Sequence, residues 1–507
     1  MHRSKLWGLV LVTLLLSAAR LVKPDHLEKD TFVTNADQFY AESMALLKGV
    51  PGASVVVVQD GAIRYQKGFG YADVEDQLPF THETNFYIAS CTKAFTGLMA
   101  AQLDHEGILS LDDKLADHFP EIDFHPDLPM DKIRLKDLLT HSSGLANDPI
   151  GFRVAYSGEH DLEKLIDLLR VSEPNREGYG NFRYTNIGYN IYTLVVEKVT
   201  GRPWQAVLEE KVFDPLGMDR TTAYMSRADK HQWPLAAPYV AMSPDEAQRV
   251  YLRKEDNTMQ SAGGLITNAS DLGRWLIMQL SAGQLDGKQV FPESMIKHSQ
   301  QALVSNEEDR EPFPSEGYGL GWHRGTYEDK AVVWHYGGFP GALTHISFIP
   351  ETNTGVAVFI NDAASGYQLM NIFANFAYDF LEKGESIVPA YREKITELAG
   401  SLEKRRADFK AGLEKRKERS WQLANPFTFY SGVYQNDLYG TLKIDGKAKT
   451  LKASLGNLHC EATPFTQEET ARVELIPYRG EVIKFVYDEA GKLSGLEYTE
   501  AFFEKVD

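Results

Sequence analysis

The chain has 507 residues, of which 43% are hydrophobic and 24% are charged, and its formal net charge is -18. This length exceeds one ordinary core, and the composition excludes wholesale disorder, so we expect two or three folded units. The acidic balance argues against nucleic acid as a partner, because there is no basic excess to neutralise phosphates.

The content of cysteine and histidine argues against a metal site. The only two cysteines, Cys91 and Cys460, lie far apart along the chain, so we expect neither a bridge between them nor a cysteine-based zinc site. The fourteen histidines contain no pair at metal-ligand spacing. We therefore predict no metal and no cofactor.

The N-terminus has the layout of a secretory signal. Two basic residues precede an apolar run at positions 6–16, and small residues follow at 17–19. The apolar run is too short to span a bilayer comfortably. We predict a signal peptide over residues 1–19, cleaved near Ala19, and an exported protein (periplasmic or secreted) with no stable membrane insertion afterwards. An uncleaved membrane anchor is the alternative.

Strand patterns stand at both ends of the region 30–385, which we predict to be one catalytic domain. Residues 53–58 are typical of a buried strand, and the turn signal Asp60-Gly61 leads to a second strand at 62–71. Helices and loops follow to about residue 280. Strand patterns then resume at 331–336, 343–349 and 355–361. This order predicts an α+β domain with one antiparallel sheet, closed by both ends of the domain and flanked by helices.

Ser90 and Lys93 form an S-x-x-K motif at the start of a predicted helix over residues 91–105. This spacing places a hydroxyl and an amine one turn apart on the same helical face. A desolvated lysine with a lowered pKa can take the serine proton, and the helix N-terminus favours a developing oxyanion. On its own the motif is weak, because a capped helix with a surface lysine has the same pattern.

The composition changes near residue 384. Between residues 391 and 420 there are ten basic against six acidic residues and one apolar stripe. We predict an amphipathic linker helix within residues 386–424, interrupted or weakened at Gly400 and Gly412. A helix lying on a domain surface is the favoured interpretation, and a helix that binds anionic membranes is the alternative.

The last segment, residues 425–507, has the pattern of a small all-β domain. Short alternating stretches are separated by turn signals such as Asp445-Gly446 and residues 488–491. Such spacing predicts a small antiparallel β-barrel.

Three further segments carry the functional signal. They are Tyr184-Thr185-Asn186, Ser261-Ala262-Gly263-Gly264-Leu265 and Trp334-His335-Tyr336-Gly337-Gly338. With the S-x-x-K motif, this order resembles the class C β-lactamase-like serine hydrolases of the penicillin-binding-protein superfamily. That group, peptidase S12-like, includes D-aminopeptidases, D,D-carboxypeptidases and esterases. Further segments that look like family signatures lie at 138–145, 215–218 and 318–322.

The resemblance covers about residues 35–380 and implies a fold and a set of roles. The fold is the β-lactamase/transpeptidase-like domain, and the last segment resembles the lipocalin-like barrel appended in one peptidase-like branch. The implied roles are catalysis by Ser90, Lys93 and Tyr184, an oxyanion hole from the N–H groups of Ser90 and Gly338, and substrate contacts from Asn186, His335 and Gly337.

One departure from the family pattern bears on the substrate. The superfamily's β-lactamases and penicillin-binding proteins carry Lys-Thr-Gly where this chain has His335-Tyr336-Gly337. In those enzymes the lysine cation and the threonine hydroxyl both help to hold the substrate carboxylate. Histidine is charged only part of the time near neutral pH, so recognition of a carboxylate is in doubt. The H-x-G form resembles the D-aminopeptidase and esterase branches more.

We therefore expect an exported serine hydrolase that forms an acyl-enzyme at Ser90. Its partner would be a small-molecule or peptide substrate. This substrate would be an amide, a peptide or an ester, with D-amino-acid derivatives favoured. Whether the protein forms a homo-oligomer is left open. The alternatives are a penicillin-recognising D,D-carboxypeptidase or β-lactamase and, in another class, a non-catalytic binding or scaffold protein with the same fold.

Overall fold

The computed structural model describes residues 30–243, 247–309 and 311–506. The predicted signal peptide lies outside the described residues. In the described part of the chain, no helix is long and apolar enough to cross a membrane.

Helices make up much of the first 417 residues. In chain order, the α-helices of the described residues are α1 (Thr31–Leu46), α2 (Thr92–His105), α3 (Leu115–His118), α4 (Leu135–Leu139), α5 (Asp148–Phe152), α6 (Leu162–Leu168), α7 (Ile187–Thr200), α8 (Trp204–Leu208), α9 (Asp214–Leu216), α10 (Met225–Lys230), α11 (Ala269–Leu280), α12 (Glu293–Ser299), α13 (Gly366–Lys383) and α14 (Val388–Lys417). Short 3₁₀ turns include Ala89–Cys91 and Gln260–Ala262, and π-helical turns include Arg153–Ser157 and Glu209–Phe213.

The strands fall into a first group within the catalytic domain and a second group in the C-terminal domain. The first group is β1 (Gly52–Gln59), β2 (Ala62–Asp73), β3 (Leu78–Pro79), β4 (Phe86–Tyr87), β5 (Leu145–Ala146), β6 (Glu173–Pro174), β7 (Tyr239–Val240), β8 (Gln248–Arg249), β9 (Ile266–Thr267), β10 (Gln284–Leu285), β11 (Lys288–Gln289), β12 (Val304–Glu308), β13 (Ser315–Tyr318), β14 (His323–Tyr327), β15 (Lys330–Phe339), β16 (Ala342–Ile349) and β17 (Thr354–Ile360). The second group is β18 (Gly432–Asn436), β19 (Gly440–Gly446), β20 (Leu451–Leu455), β21 (Leu458–Glu461), β22 (Thr463–Pro464), β23 (Thr470–Val473), β24 (Glu481–Tyr487), β25 (Leu493–Tyr498) and β26 (Ala501–Lys505).

The catalytic domain is built on one antiparallel sheet with the order β12-β13-β14-β15-β16-β17-β1-β2-β3. Strand β1 pairs with β2, which follows it, and with β17, which lies some 300 residues later in the chain. The two ends of the domain therefore meet in the sheet, and the predicted α+β fold is confirmed.

Helices cover both faces of this sheet. Val56 and Val58 of β1 belong to the core that contains α2, α7 and α11, whereas Val55 and Val57 belong to the core that contains α1, α13 and α14. Successive side chains of a strand point to opposite faces, so the run of buried valines supplies both cores. Helix α2, which begins two residues after Ser90, thus lies buried between the sheet and the helical region.

The linker helix α14 corrects one expectation. It runs without interruption through Gly400 and Gly412, which we expected to break or weaken it. Glycine costs about 1 kcal/mol in a helix interior, but tertiary packing decides helix stability. The first half of α14 buries Tyr391 and Leu402, among others, against α1 and α13, and this packing holds the helix intact.

The C-terminal domain is an antiparallel barrel that is nearly closed. Its strand order is β21-β20-β19-β18-β26-β25-β24-β23-β22, and the two outer strands, β21 and β22, are adjacent in the chain. Apolar side chains such as Tyr434, Leu442 and Phe485 fill the interior. The barrel is attached to the catalytic domain by Arg153, whose guanidinium donates to the carbonyl oxygen of Leu438 at 2.5 Å.

Candidate active site

Ser90 lies in the 3₁₀ turn that immediately precedes α2, and its side chain is partly exposed. The preceding residue, Ala89, has φ = +43°, a left-handed conformation that costs a residue with a Cβ on the order of 1–2 kcal/mol. Buried neighbours on both sides, Ile88 and Cys91, hold the turn in place. Ser90 therefore lies in a strained turn that buried residues hold in place.

Strand β15 passes directly against this turn because it carries a glycine there. A Cβ at Gly337 would lie 2.0 Å from the carbonyl oxygen of Ile88, so no other residue fits without a shift. The last residue pair between β14 and β15 is His323 with Trp334. Beyond that pair, the β14 side of β15 from His335 onward lies at the site, where a substrate backbone can approach it.

Lys93 is fully buried one helical turn after Ser90. Its Nζ lies 3.1 Å from Ser90 Oγ, 2.8 Å from Asn186 Oδ1 and 2.8 Å from the carbonyl oxygen of Ala262. Burial lowers the pKa of Lys93 well below its usual value, and the charge of Lys254 lowers it further. Burial therefore favours the neutral form of this amine.

The three contacts of Lys93 have a chemical consequence. The oxygens of Asn186 and Ala262 can only accept hydrogen bonds, so they take the two hydrogens of a neutral amine. The lone pair is then left for the hydroxyl of Ser90, which can donate to it. This arrangement suits proton transfer from the serine to the lysine.

Tyr184 borders the site from the other side, and its side chain is 41% exposed. Its ring centre lies 5.0 Å from Lys93 Nζ and 4.4 Å from the ring centre of His141. His141 is buried, and burial lowers its pKa well below the usual range. The ring of Tyr184 therefore packs against a neutral imidazole.

His335 lies on β15 with both ring nitrogens in contact with protein groups. Nδ1 lies 2.6 Å from the carbonyl oxygen of Tyr336, and Nε2 lies 3.0 Å from the hydroxyl of Tyr318. A neutral imidazole with its hydrogen on Nδ1 satisfies both contacts, with the hydroxyl of Tyr318 donating to Nε2.

The side chain of Tyr336 turns away from helix α2. Its hydroxyl donates to Asn371 Oδ1 of α13 at 2.7 Å, on the opposite face of the sheet. The threonine of the Lys-Thr-Gly enzymes contributes a small hydroxyl to the substrate carboxylate. Tyr336 therefore differs from that threonine in size, and its hydroxyl is bonded to Asn371.

A cavity of about 400 Å³ brings most of the predicted site residues together. It is lined by Ser90, Phe182, Tyr184, Glu308, Glu311, His323, Trp334, His335, Tyr336, Gly338, Tyr367 and Asn371. Lys93 and Asn186 lie behind the serine, and Gly337 packs against Ile88 instead of lining the cavity. Among the described residues, no cluster of histidine, cysteine, aspartate or glutamate is placed to hold a metal ion.

Three residues at the site were not singled out from the sequence as site residues. His141 and Tyr318 lie within the signature-like segments 138–145 and 318–322, so a signal for them was present. Lys254 lies in a run of charged residues, Arg253-Lys254-Glu255-Asp256, which has the appearance of an exposed loop. Its burial is a property of the tertiary structure and has no local sequence signal.

Residues 36–377, more than half of the chain, match the family described as Beta-lactamase. The chain therefore belongs to the beta-lactamase family, and its fold is that of the β-lactamase-like serine hydrolases. Protein flp of Staphylococcus aureus (strain MW2) is 27% identical over 322 residues, which are 62% of this chain and 61% of that protein. The matched part thus spans less than two thirds of this relative.

Two solved structures extend the comparison of folds. The octameric penicillin-binding protein homologue from Pyrococcus abyssi is 24% identical with a TM-score of 0.59, covering 93% of this chain and 99% of that chain. The D-amino acid amidase from Ochrobactrum anthropi SV3, in complex with L-phenylalanine amide, is 20% identical with a TM-score of 0.54, covering 73% and 99%. At these identities the likeness shows the shared fold.

Proposed function

We propose that the protein is an exported serine hydrolase that forms an acyl-enzyme at Ser90 with small amides, peptides or esters, D-amino-acid derivatives first among them. The observation that carries the proposal is the triple contact of Lys93, which leaves the amine lone pair for Ser90. Export is supported by the apolar run and the small residues at the N-terminus.

In the proposed reaction, the proton of Ser90 passes to Lys93 while Oγ attacks the carbonyl carbon of the substrate. The backbone N–H groups of Ser90 and Gly338 stabilise the oxyanion, each typically worth about 3 kcal/mol. Tyr184 then gives a proton to the leaving group and is reprotonated by Lys93, which becomes neutral again. Water hydrolyses the ester on Ser90, and one of its protons returns to Ser90 Oγ. The amide hydrogens of Asn186 can donate to the acyl part of the substrate.

The substrate class follows from what surrounds the serine. His335 and Tyr336 stand where the penicillin-recognising enzymes carry lysine and threonine, and histidine is charged only part of the time near neutral pH. This difference disfavours penicillins, whose carboxylate those enzymes hold with the lysine and the threonine. Support for D-amino-acid derivatives comes from the H-x-G form of β15 and from the shared fold of the D-amino acid amidase.

The proposal is tested by hydrolysis of matched substrates by the mature chain. The substrates are D- and L-alanine p-nitroanilide and p-nitrophenyl acetate, each with wild type and Ser90→Ala. We expect Ser90-dependent cleavage of the ester and of the D-anilide, with the D-anilide preferred over the L-anilide by tenfold or more. Equal rates for wild type and Ser90→Ala on every substrate would contradict the proposed function.

A further inference from the structure

A second buried lysine lies beside the site and has no place in the proposed reaction. Lys254 is 1% exposed, and its Nζ donates to the carbonyl oxygen of Gly263. The ammonium position is 4.9 Å from the ring centre of Phe339 and 5.4 Å from that of Tyr87. Phe339 directly follows Gly338, so Lys254 lies at the end of β15 that carries the proposed oxyanion donor.

Lys254 belongs to a regular set of contacts along the segment 261–263. Three successive carbonyl oxygens of this segment each accept a hydrogen bond from a different side chain. The donors are Thr96 to Ser261 at 2.8 Å, Lys93 to Ala262 at 2.8 Å and Lys254 to Gly263. The Ala262 carbonyl, which orients the amine of Lys93, is thus fixed on both sides.

Among the described residues, the groups that face the two lysines offer no carboxylate in direct contact. Around Lys254 lie Cys91 of the turn that carries Ser90, Lys93 of α2 and the hydroxyl-bearing Tyr87 of β4. The neighbouring Arg253 is paired with Asp229. Those around Lys93 are Cys91, Lys254, His141, Tyr184 and Tyr189. Burial raises the pKa of the Cys91 thiol, so it stays neutral.

The two amines therefore lie in one buried region, where a proton on one amine makes a proton on the other less favourable. Burial lowers the pKa of Lys254 to about 7, and the pKa of Lys93 lies well below its usual value. As the pH falls through this range, Lys254 takes up a proton. The charge on Lys254 then disfavours a second proton on Lys93.

We propose that Lys254 is a positioning residue for the reaction at Ser90: it anchors the segment 261–263 beneath Lys93 and, by like charge, opposes protonation of Lys93. The inference rests on the proposed function, because the role it gives to Lys254 is to keep Lys93 unprotonated and able to take the proton of Ser90. Lys254 itself does not contact the reacting atoms.

The test compares kcat/KM against pH for four proteins with the same ester substrate. These are the wild type, Lys254→Met, Lys254→Gln and the control Thr96→Val. Methionine and glutamine both remove the charge, and glutamine keeps a hydrogen-bond donor. Thr96→Val removes one contact of the same segment without a change of charge.

We expect the acid limb of the profile to move to higher pH by about one unit in Lys254→Met and Lys254→Gln, since a lost like charge raises the pKa of Lys93. Thr96→Val is expected to keep the wild-type limb. An unmoved limb in both Lys254 variants, or an equal shift in Thr96→Val, would overturn the inference.

A second readout separates this inference from the proposed function. ¹³C NMR of the chain labelled at lysine Cε, with the Lys93 signal assigned from Lys93→Met, follows protonation without any substrate. The Lys93 signal should titrate about one pH unit higher in Lys254→Met than in the wild type. Absence of Ser90-dependent hydrolysis would refute the function alone, and an unchanged Lys93 titration would refute the role of Lys254 alone.

Discussion

The thiol of Cys91 donates to the carbonyl oxygen of His335 across 3.4 Å. The residue after Ser90 is thus bonded to strand β15, which runs past the cavity. Gly337, two residues further along, lies against Ile88, which precedes the nucleophile turn. The distance between Ser90 and β15 is therefore set by buried contacts on both sides of the serine.

The first prediction concerns Gly337. Gly337→Ala places a methyl group 2.0 Å from the backbone oxygen of Ile88, so β15 must move away from the serine. We expect a loss of about 2 kcal/mol or more in the free energy of unfolding, as for other overpacked sites, and at least a hundredfold loss of kcat/KM. Urea unfolding and ester hydrolysis measure the two effects.

Gly400→Ala is the matched control for this substitution. Gly400 lies inside α14, and among the described residues no atom beyond the local helix backbone lies within 4 Å of the position that a Cβ would take. The same methyl group is expected to stabilise the protein by about 0.5–1 kcal/mol and to leave hydrolysis unchanged. Equal destabilisation of both variants would contradict the packing argument.

The second prediction concerns the stability cost of Lys93. Because burial lowers its pKa in the folded state, the unfolded chain binds a proton between the folded and the unfolded pKa that the folded chain does not. Each unit of lowering costs about 1.4 kcal/mol of stability at pH values below the folded pKa, and this cost fades as the pH rises towards the unfolded value of about 10.4. Lys93→Met should remove it.

We therefore expect Lys93→Met to lower kcat/KM by about a thousandfold or more and yet to raise Tm at pH 7. The gain in stability should shrink as the pH approaches 10. Calorimetry of wild type and variant at pH 7 and pH 10 measures the difference. A lower Tm for the variant at pH 7 would mean that Lys93 stabilises the fold and that its burial carries no penalty.

The third prediction concerns Asn186, which accepts a hydrogen bond from Lys93 at 2.8 Å. Asn186→Asp places a carboxylate beside the amine, which favours the protonated lysine and raises its pKa. The acid limb of kcat/KM should move to higher pH by one unit or more. The control is Asn181→Asp, since Asn181 is exposed in the same loop and donates to the backbone of Glu177. A shift of similar size in the control would point to a general charge effect.

The fourth prediction concerns penicillins. Histidine is charged only part of the time near neutral pH, and the hydroxyl of Tyr336 is directed towards Asn371, so His335 and Tyr336 do not reproduce the permanent cation and the threonine hydroxyl of the Lys-Thr-Gly enzymes. After exposure to benzylpenicillin, intact mass should show no stable adduct on Ser90, and no free penicilloate should form. An adduct on the wild type that is absent from Ser90→Ala would favour the penicillin-recognising alternative.

The sequence predicts the parts of the fold that depend on local pattern. The valines of β1 and the turn at Asp60-Gly61 indicate the hairpin, and the placement of strand patterns at both ends indicates the closed sheet. The proximity of Ser90 and Lys93 follows from helical spacing. These features need little information from distant parts of the chain.

Features that depend on distant packing could not be predicted in the same way. Strand β12 contains the polar stretch Asn306-Glu307-Glu308, which has no apolar alternation, and it is a strand because it pairs with β13 at the sheet edge. Lys254 lies in a run of charged residues along the sequence, yet it is buried in the fold. There the carbonyl oxygen of Gly263 accepts a hydrogen bond from its amine. Helix α14 passes Gly400 because its first half is packed, and it continues through Gly412.

An activated Ser90 is the central requirement of the proposed mechanism. Intact-protein mass after a short exposure of the mature chain to a fluorophosphonate, with Ser90→Ala and Lys93→Met in parallel, tests this requirement without any choice of substrate. We predict one phosphonyl group on the wild type, none at this position in Ser90→Ala, and labelling slowed by about a hundredfold or more in Lys93→Met. Equal labelling of all three proteins, or none of the wild type, would contradict the mechanism.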